Sequence, residues 1–285
     1  MTIRKVGVIG CGLMGGGIAQ TCAQSGYETV VREVNQALLD KGLARIYGAW
    51  DMMASKGKLS QGQVTENRAR LHGTLDLEDF ADCDLVIEAV IENMEEKVRL
   101  FPVLDRVVKP GGLLLTNTSS LNVTQMGAVT RRAGQVCGLH FFNPAPVMKL
   151  VEIVRTISTT DETIETVREF AISLGKSPVL AKDTAGFIVN FLLIPYLTAA
   201  IRMLENGVAT RDDIDTAMKL GCGYPMGPFT LLDYVGLDTT LWAADAIYEE
   251  FKDPLYAPPP LLRRMVQSGM TGRKSGRGFY DYGNT

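Results

Sequence analysis

Across the first two-thirds of the chain, short unbroken apolar runs alternate with longer stretches whose apolar residues recur at helical spacing. The runs are Lys5 to Ile9, Glu28 to Val34, Asp84 to Val90, Leu113 to Thr116 and Gln135 to Phe142, with a weaker one at Leu71 to Leu75. Between them, Asn35 to Lys58 places Leu38, Leu39, Leu43, Ile46, Trp50 and Met53 on a helical period, and Lys97 to Val108 forms the next helix before Pro110-Gly111-Gly112. Runs that do not alternate apolar with polar suit strands covered on both faces, so the pattern predicts an α/β unit with a mostly parallel sheet. Val151 to Val154, a helix from Glu162 to Leu174 and Pro178 to Leu180 extend it. Around Asp183-Thr184-Ala185-Gly186 the rhythm becomes nearly all helical, which predicts a sheet domain over 1–184 and an all-helical domain over 185–285.

In the second part, Thr210 to Asp213 reads as a capping box and Asp238 as the cap of a helix running to Phe251. The segment 272–282 is too glycine-rich for a helix and reads as a terminal loop pinned by its aromatics. Gly186 to Leu204 is the most apolar stretch, but Asn190, Pro195, Thr198 and Arg202 interrupt it, so a buried helix is expected rather than a membrane span. Its apolar breadth predicts a subunit contact and hence a homodimer.

A chain of 285 residues, 46% hydrophobic, can bury a substantial core. With 29 basic against 32 acidic residues, no cationic excess points to nucleic acid or a membrane surface. Five cysteines without C-x-x-C spacing predict reduced, mostly buried thiols and a cytoplasmic protein. No charged and apolar leader precedes the first strand, so the mature chain is expected to begin where this sequence does.

The candidate chemistry begins at Gly10-Cys11-Gly12-Leu13-Met14-Gly15, a G-x-G-x-x-G turn directly after the first strand. Gly10 allows the sharp turn, Gly12 lets the backbone approach a pyrophosphate, and Gly15 lets the following helix pack closely. Glu33, 23 residues after Gly10, stands where a carboxylate accepts hydrogen bonds from an adenosine ribose. It would repel a 2′-phosphate, which favours NAD over NADP, and Arg32 beside it weakens that preference.

The chain has two histidines, and His140 ends a strand expected at the ligand-binding edge of the sheet. An imidazole changes charge near neutral pH, so it can accept a hydroxyl proton as hydride leaves, or return one in reverse. Glu152, 12 residues on, permits a return strand that brings a carboxylate to one ring nitrogen; the alternatives are a core histidine bonded to backbone carbonyls and a surface strand carboxylate. Asn117-Thr118-Ser119-Ser120 follows another strand on the same edge and offers groups for a substrate oxygen or for helix capping. Asn190, polar on an apolar helix, needs an internal partner or a place facing ligand.

Together with Asp183 to Asn190, Leu139 to Pro144, Pro146 to Glu152 and Gly272 to Tyr280, these motifs resemble the L-3-hydroxyacyl-CoA dehydrogenase family, especially its short bacterial 3-hydroxybutyryl-CoA dehydrogenases, across essentially the whole chain. The resemblance implies a Rossmann-like NAD-binding domain, a helical substrate-binding and dimerisation domain, and an acyl-CoA substrate. It implies that His140 is the acid/base, Glu152 its electrostatic partner, Ser119 a ligand of the 3-oxygen and Asn190 a group placing the thioester. Asn143 would organise substrate and nicotinamide, and Glu92 and Lys97 fall at cofactor-contact positions. Asn117 and Ser119 join them at the cofactor, and Lys56 or Lys58 would meet the CoA phosphates. The competing readings are a dehydrogenase of a non-CoA hydroxyacid and a structural NAD-binding protein without turnover.

Overall fold

Eight strands form one sheet in the order β3-β2-β1-β4-β5-β6-β7-β8 in the computed structural model, which describes residues 2–283. They are β1 (Lys5–Ile9), β2 (Glu28–Arg32), β3 (Leu71–Thr74), β4 (Leu85–Glu88), β5 (Leu113–Thr116), β6 (Val136–Phe141), β7 (Leu150–Arg155) and β8 (Ser177–Lys182). All neighbours run parallel except β6 and β7. Every residue of β4, β5 and β6 is buried, as expected for strands whose apolar runs do not alternate. The helices that cover this sheet are α1 (Leu13–Gln24), α2 (Gln36–Ser55), α3 (Gln61–Arg70), α4 (Met94–Val107), α5 (Val123–Ala128) and α6 (Asp161–Ser173).

The chain divides into two compact units, Met1–Asp183 and Thr184–Thr285. The second contains α7 (Val189–Glu205), α8 (Arg211–Cys222), α9 (Pro228–Val235), α10 (Leu237–Phe251) and α11 (Pro260–Gln267). Phe229, Leu232, Leu237 and Leu262 are fully buried at its centre. Met1, Asn284 and Thr285, at the ends of the two expected domain ranges, lie outside the described residues.

Several local expectations change. Thr210 caps α8 by accepting from the Asp213 amide, but its hydroxyl donates to the Asp213 carboxylate, so the reciprocal bond of a capping box is missing. The box is instead at Ser60 and Gln63, opening α3, a helix too polar for its apolar spacing to signal. Asp238 does not cap α10: Gly236 holds that position, and the Asp238 carboxylate accepts from Lys274 at 2.5 Å. The helix expected from Lys97 begins at Met94, because the Asn93 side chain accepts from the Glu96 amide and starts it one turn earlier.

Candidate active site

The order of strands reverses between β1 and β4, and in open α/β sheets ligands bind beyond the carboxyl ends of the strands at such a point. Gly10 leaves β1 with φ of +96°, a conformation costly for any residue with a Cβ. A Cβ on Gly15 would lie 1.9 Å from the Gly10 carbonyl oxygen, so only glycine lets α1 pack there. Around Gly12 a Cβ would meet no protein atom within 4 Å. Gly12 is also the N-cap of α1, with no side chain bonding the helix amides and no acidic residue in the first turn. An open, uncapped helix N-terminus is suited to a diphosphate.

Glu33 lies beside this turn, where its Oε1 accepts from the Cys11 amide at 2.7 Å and its Oε2 from the Val34 amide at 3.1 Å. Leu13 is exposed and Met14 half-buried. Arg45 of α2, which sequence reasoning missed, donates to the carbonyls of both Cys11 and Gly12 at 2.7 Å. Those bonds tie α2 to the turn that opens α1. A lone exposed arginine bonded to backbone has no signature in sequence.

His140 and Glu152 face each other as direct partners in the antiparallel β6/β7 pair. His140 Nδ1–H donates to Glu152 Oε2 at 2.7 Å, with the ring 7% exposed and the carboxylate fully buried. The Phe142 ring packs against the imidazole at a centroid distance of 4.6 Å. Where pairing of β5 with β6 ends, Asn117 Oδ1 accepts from the Phe141 amide at 2.9 Å. The side chain thereby continues the ladder and fixes the peptide that follows His140. Lys176, another residue without a sequence signal, donates to the Ala145 and Met148 carbonyls at 2.5 and 2.9 Å and closes the loop between β6 and β7. Burial lowers the pKa of that ammonium.

A second cluster joins β4, β5 and α4. Glu88, fully buried, accepts from Lys97 Nζ at 2.6 Å, Thr116 Oγ1 at 2.6 Å and the Val90 amide at 2.8 Å. Lys97 also lies 3.4 Å from Glu92, whose Oε1 accepts from the Ser119 amide at 3.1 Å and from the Thr118 hydroxyl. Thr118 Oγ1 accepts from the Leu121 amide at 3.0 Å. Ser119 is thus held in a tight turn by the carboxylate of Glu92. The carboxylate ending the apolar run of β4 was the available signal for Glu88.

Other expected site residues are not brought into these clusters by any described contact. Asn143 is exposed in the loop after β6, and Lys56 and Lys58 are exposed just beyond α2. Asn190 is half-buried in the first turn of α7, in the second unit. His72 is exposed on β3.

The 3-hydroxyacyl-CoA dehydrogenase NAD binding domain matches residues 5–184, and the C-terminal domain of 3-hydroxyacyl-CoA dehydrogenase matches residues 186–282. A probable 3-hydroxybutyryl-CoA dehydrogenase of Deinococcus radiodurans is 48% identical over 278 residues, covering 98% of this chain and 100% of the relative. Among solved structures, Mycobacterium tuberculosis FadB2 superimposes with a TM-score of 0.97 at 47% identity, over 99% of this chain and 100% of that one. The (S)-3-hydroxybutyryl-CoA dehydrogenase PaaH1 from Ralstonia eutropha does so at 0.96 and 42% identity, with the same coverage.

Proposed function

From the premise that the chain belongs to the 3-hydroxyacyl-CoA dehydrogenase family, we propose that it interconverts (3S)-3-hydroxybutyryl-CoA and acetoacetyl-CoA with NAD. The observation that carries this reading is the buried His140–Glu152 pair at the ligand-binding edge of an NAD-binding sheet. NAD, when bound, supplies the acceptor for the hydride leaving C3. The open Gly12 turn and the uncapped end of α1 fit its diphosphate, and Glu33 fits its adenosine ribose.

His140 takes the hydroxyl proton during oxidation and returns it during reduction. The reacting nitrogen is assigned to Nε2, because Nδ1 is engaged by Glu152. The buried carboxylate fixes the tautomer and stabilises the imidazolium as it forms. Ser119 donates to the 3-oxygen, which accelerates reaction to the extent that the bond strengthens as charge develops there. Asn117, Asn143, Glu92 and Lys97 serve the cofactor end of the site. Asn190 places the thioester, and Lys56 or Lys58 takes the CoA phosphates.

The helical unit is assigned to substrate binding and to homodimer formation. Leu192, Leu220 and Trp242, each more than 60% exposed, support a covered surface on it. No described helix is long and apolar enough to cross a membrane. Four of five cysteines are buried free thiols, which supports a cytoplasmic location. A steady-state matrix of acetoacetyl-CoA, longer 3-oxoacyl-CoAs, 3-oxoadipyl-CoA and free acetoacetate with NADH and NADPH tests the assignment. Acetoacetyl-CoA with NADH is expected to give the highest kcat/KM. Equal turnover of free acetoacetate would overturn the CoA assignment.

A further inference from the structure

Glu88 is a fully buried carboxylate to which the reaction above assigns no role, and burying such a charge is costly unless the site fills its hydrogen-bonding capacity. Its three donors come from three elements: Lys97 from α4, Thr116 from the end of β5, and the Val90 amide from the loop after β4. From two of these the bonding continues to the turn that carries Ser119. Lys97 holds Glu92, which accepts from the Ser119 amide. Thr116 Oγ1 accepts from the Thr118 amide at 3.1 Å, while the Thr118 hydroxyl donates to Glu92. The cluster holds two carboxylates and one ammonium, so without Glu88 the ammonium has, among the described residues, only Glu92 to pair with.

We propose that Glu88 is a positioning residue of the dehydrogenase site, anchoring Lys97 and Thr116 so that Glu92 and the Ser119 turn are set before cofactor and substrate arrive. It acts through these groups and touches neither ligand. The inference rests on the proposed function for the role of Ser119 and for the cofactor contacts of Glu92 and Lys97. Its test therefore uses NADH alone and the ligand-free chain, so that it stands or falls apart from the identity of the acyl substrate.

Glu88→Gln keeps the size of the side chain and removes its charge. The expected result is a rise of about tenfold in the Kd for NADH, read by fluorescence titration, the loss expected for one charge-assisted bond. Amide hydrogen exchange across 116–121 in the ligand-free variant should be at least about threefold faster, with exchange in β1 and β2 unchanged. Because the effect passes largely through Lys97, the double variant Glu88→Gln/Lys97→Met should bind NADH no more weakly than Lys97→Met alone. An unchanged Kd and exchange rate, or losses that multiply in the double variant, would overturn the proposal. Should Glu88→Gln not fold, Thr116→Val removes the second branch and is expected to weaken NADH binding at least about threefold and to speed exchange across 116–121, with Thr116→Ser restoring both to within about twofold of the parent chain. Parent-like behaviour of Thr116→Val would then overturn it.

Discussion

Glu152 and His140 are 12 residues apart, and a single antiparallel pairing puts one opposite the other. This part of the site was legible because strand register converts sequence spacing into contact. Glu152→Gln should lower kcat at least about 100-fold, since the amide neither stabilises an imidazolium nor enforces the same tautomer, while the Kd for NADH stays within about twofold. Gly12 and Gly15 differ in what a methyl group meets. Gly12→Ala should leave the melting temperature within about 2 °C and weaken NADH binding at least about tenfold, because its methyl occupies open space at the end of α1. Gly15→Ala should disturb folding itself. A Gly12→Ala variant that binds NADH like the parent would remove the diphosphate from this turn. Arg45 and Lys176 were illegible because both bond to backbone carbonyls, which every sequence offers everywhere.

The elements of the sheet were readable from their apolar runs, whereas α3 was hidden by its polarity and α5 by its short length. The terminal loop was expected to be pinned by its aromatics, and they do hold it, Phe279 packing on Phe229 at a centroid distance of 4.7 Å and the Tyr280 and Tyr282 hydroxyls bonding two buried aspartates. Asp233 of α9 accepts from the Phe279 and Tyr280 amides at 2.8 Å and from the Tyr282 hydroxyl at 3.0 Å. Asp215 of α8 accepts from the Phe229 and Thr230 amides at 2.7 and 3.0 Å, from the Thr230 hydroxyl, and from the Tyr280 hydroxyl at 3.0 Å. The partners in the terminal loop lie 46 to 65 residues away and leave no local pattern to read. Asp233→Ala leaves three donors in search of acceptors and should cost about 3 kcal/mol, measured by urea unfolding of the helical unit. The residues beyond Gly272 should then become the first site of limited proteolysis. Resistance equal to that of the parent would show that the aromatic packing alone holds the loop.

For the whole molecule, the lowered carboxyl pKa values set the response to acid. Burial alone would raise the pKa of Asp105, but the Arg131 amide and the Arg132 and Arg131 guanidinium groups outweigh it and hold the carboxyl below its ordinary range. Asp84 is held low in the same way against its burial, by Lys109 and the amides of Lys5 and Arg4. Protons therefore bind the unfolded chain more readily than the folded one. This stabilisation is complete above the ordinary carboxylate range and is lost as pH falls through the depressed folded values. The urea midpoint should drop between pH 5 and pH 3, and Asp105→Asn should reduce the size of that drop. Function was legible at this scale because motifs spread over the whole length point to one family, whereas the Glu88 cluster became visible only once β4, β5 and α4 were assembled. The central claim, that His140 moves the proton while hydride is exchanged at C3, is tested most directly by single-turnover oxidation of NADH by acetoacetyl-CoA in His140→Gln. A rate at least about 1000-fold below that of the parent, with the Kd for NADH unchanged, is the predicted result. A rate within about threefold of the parent under the same saturation would contradict the account.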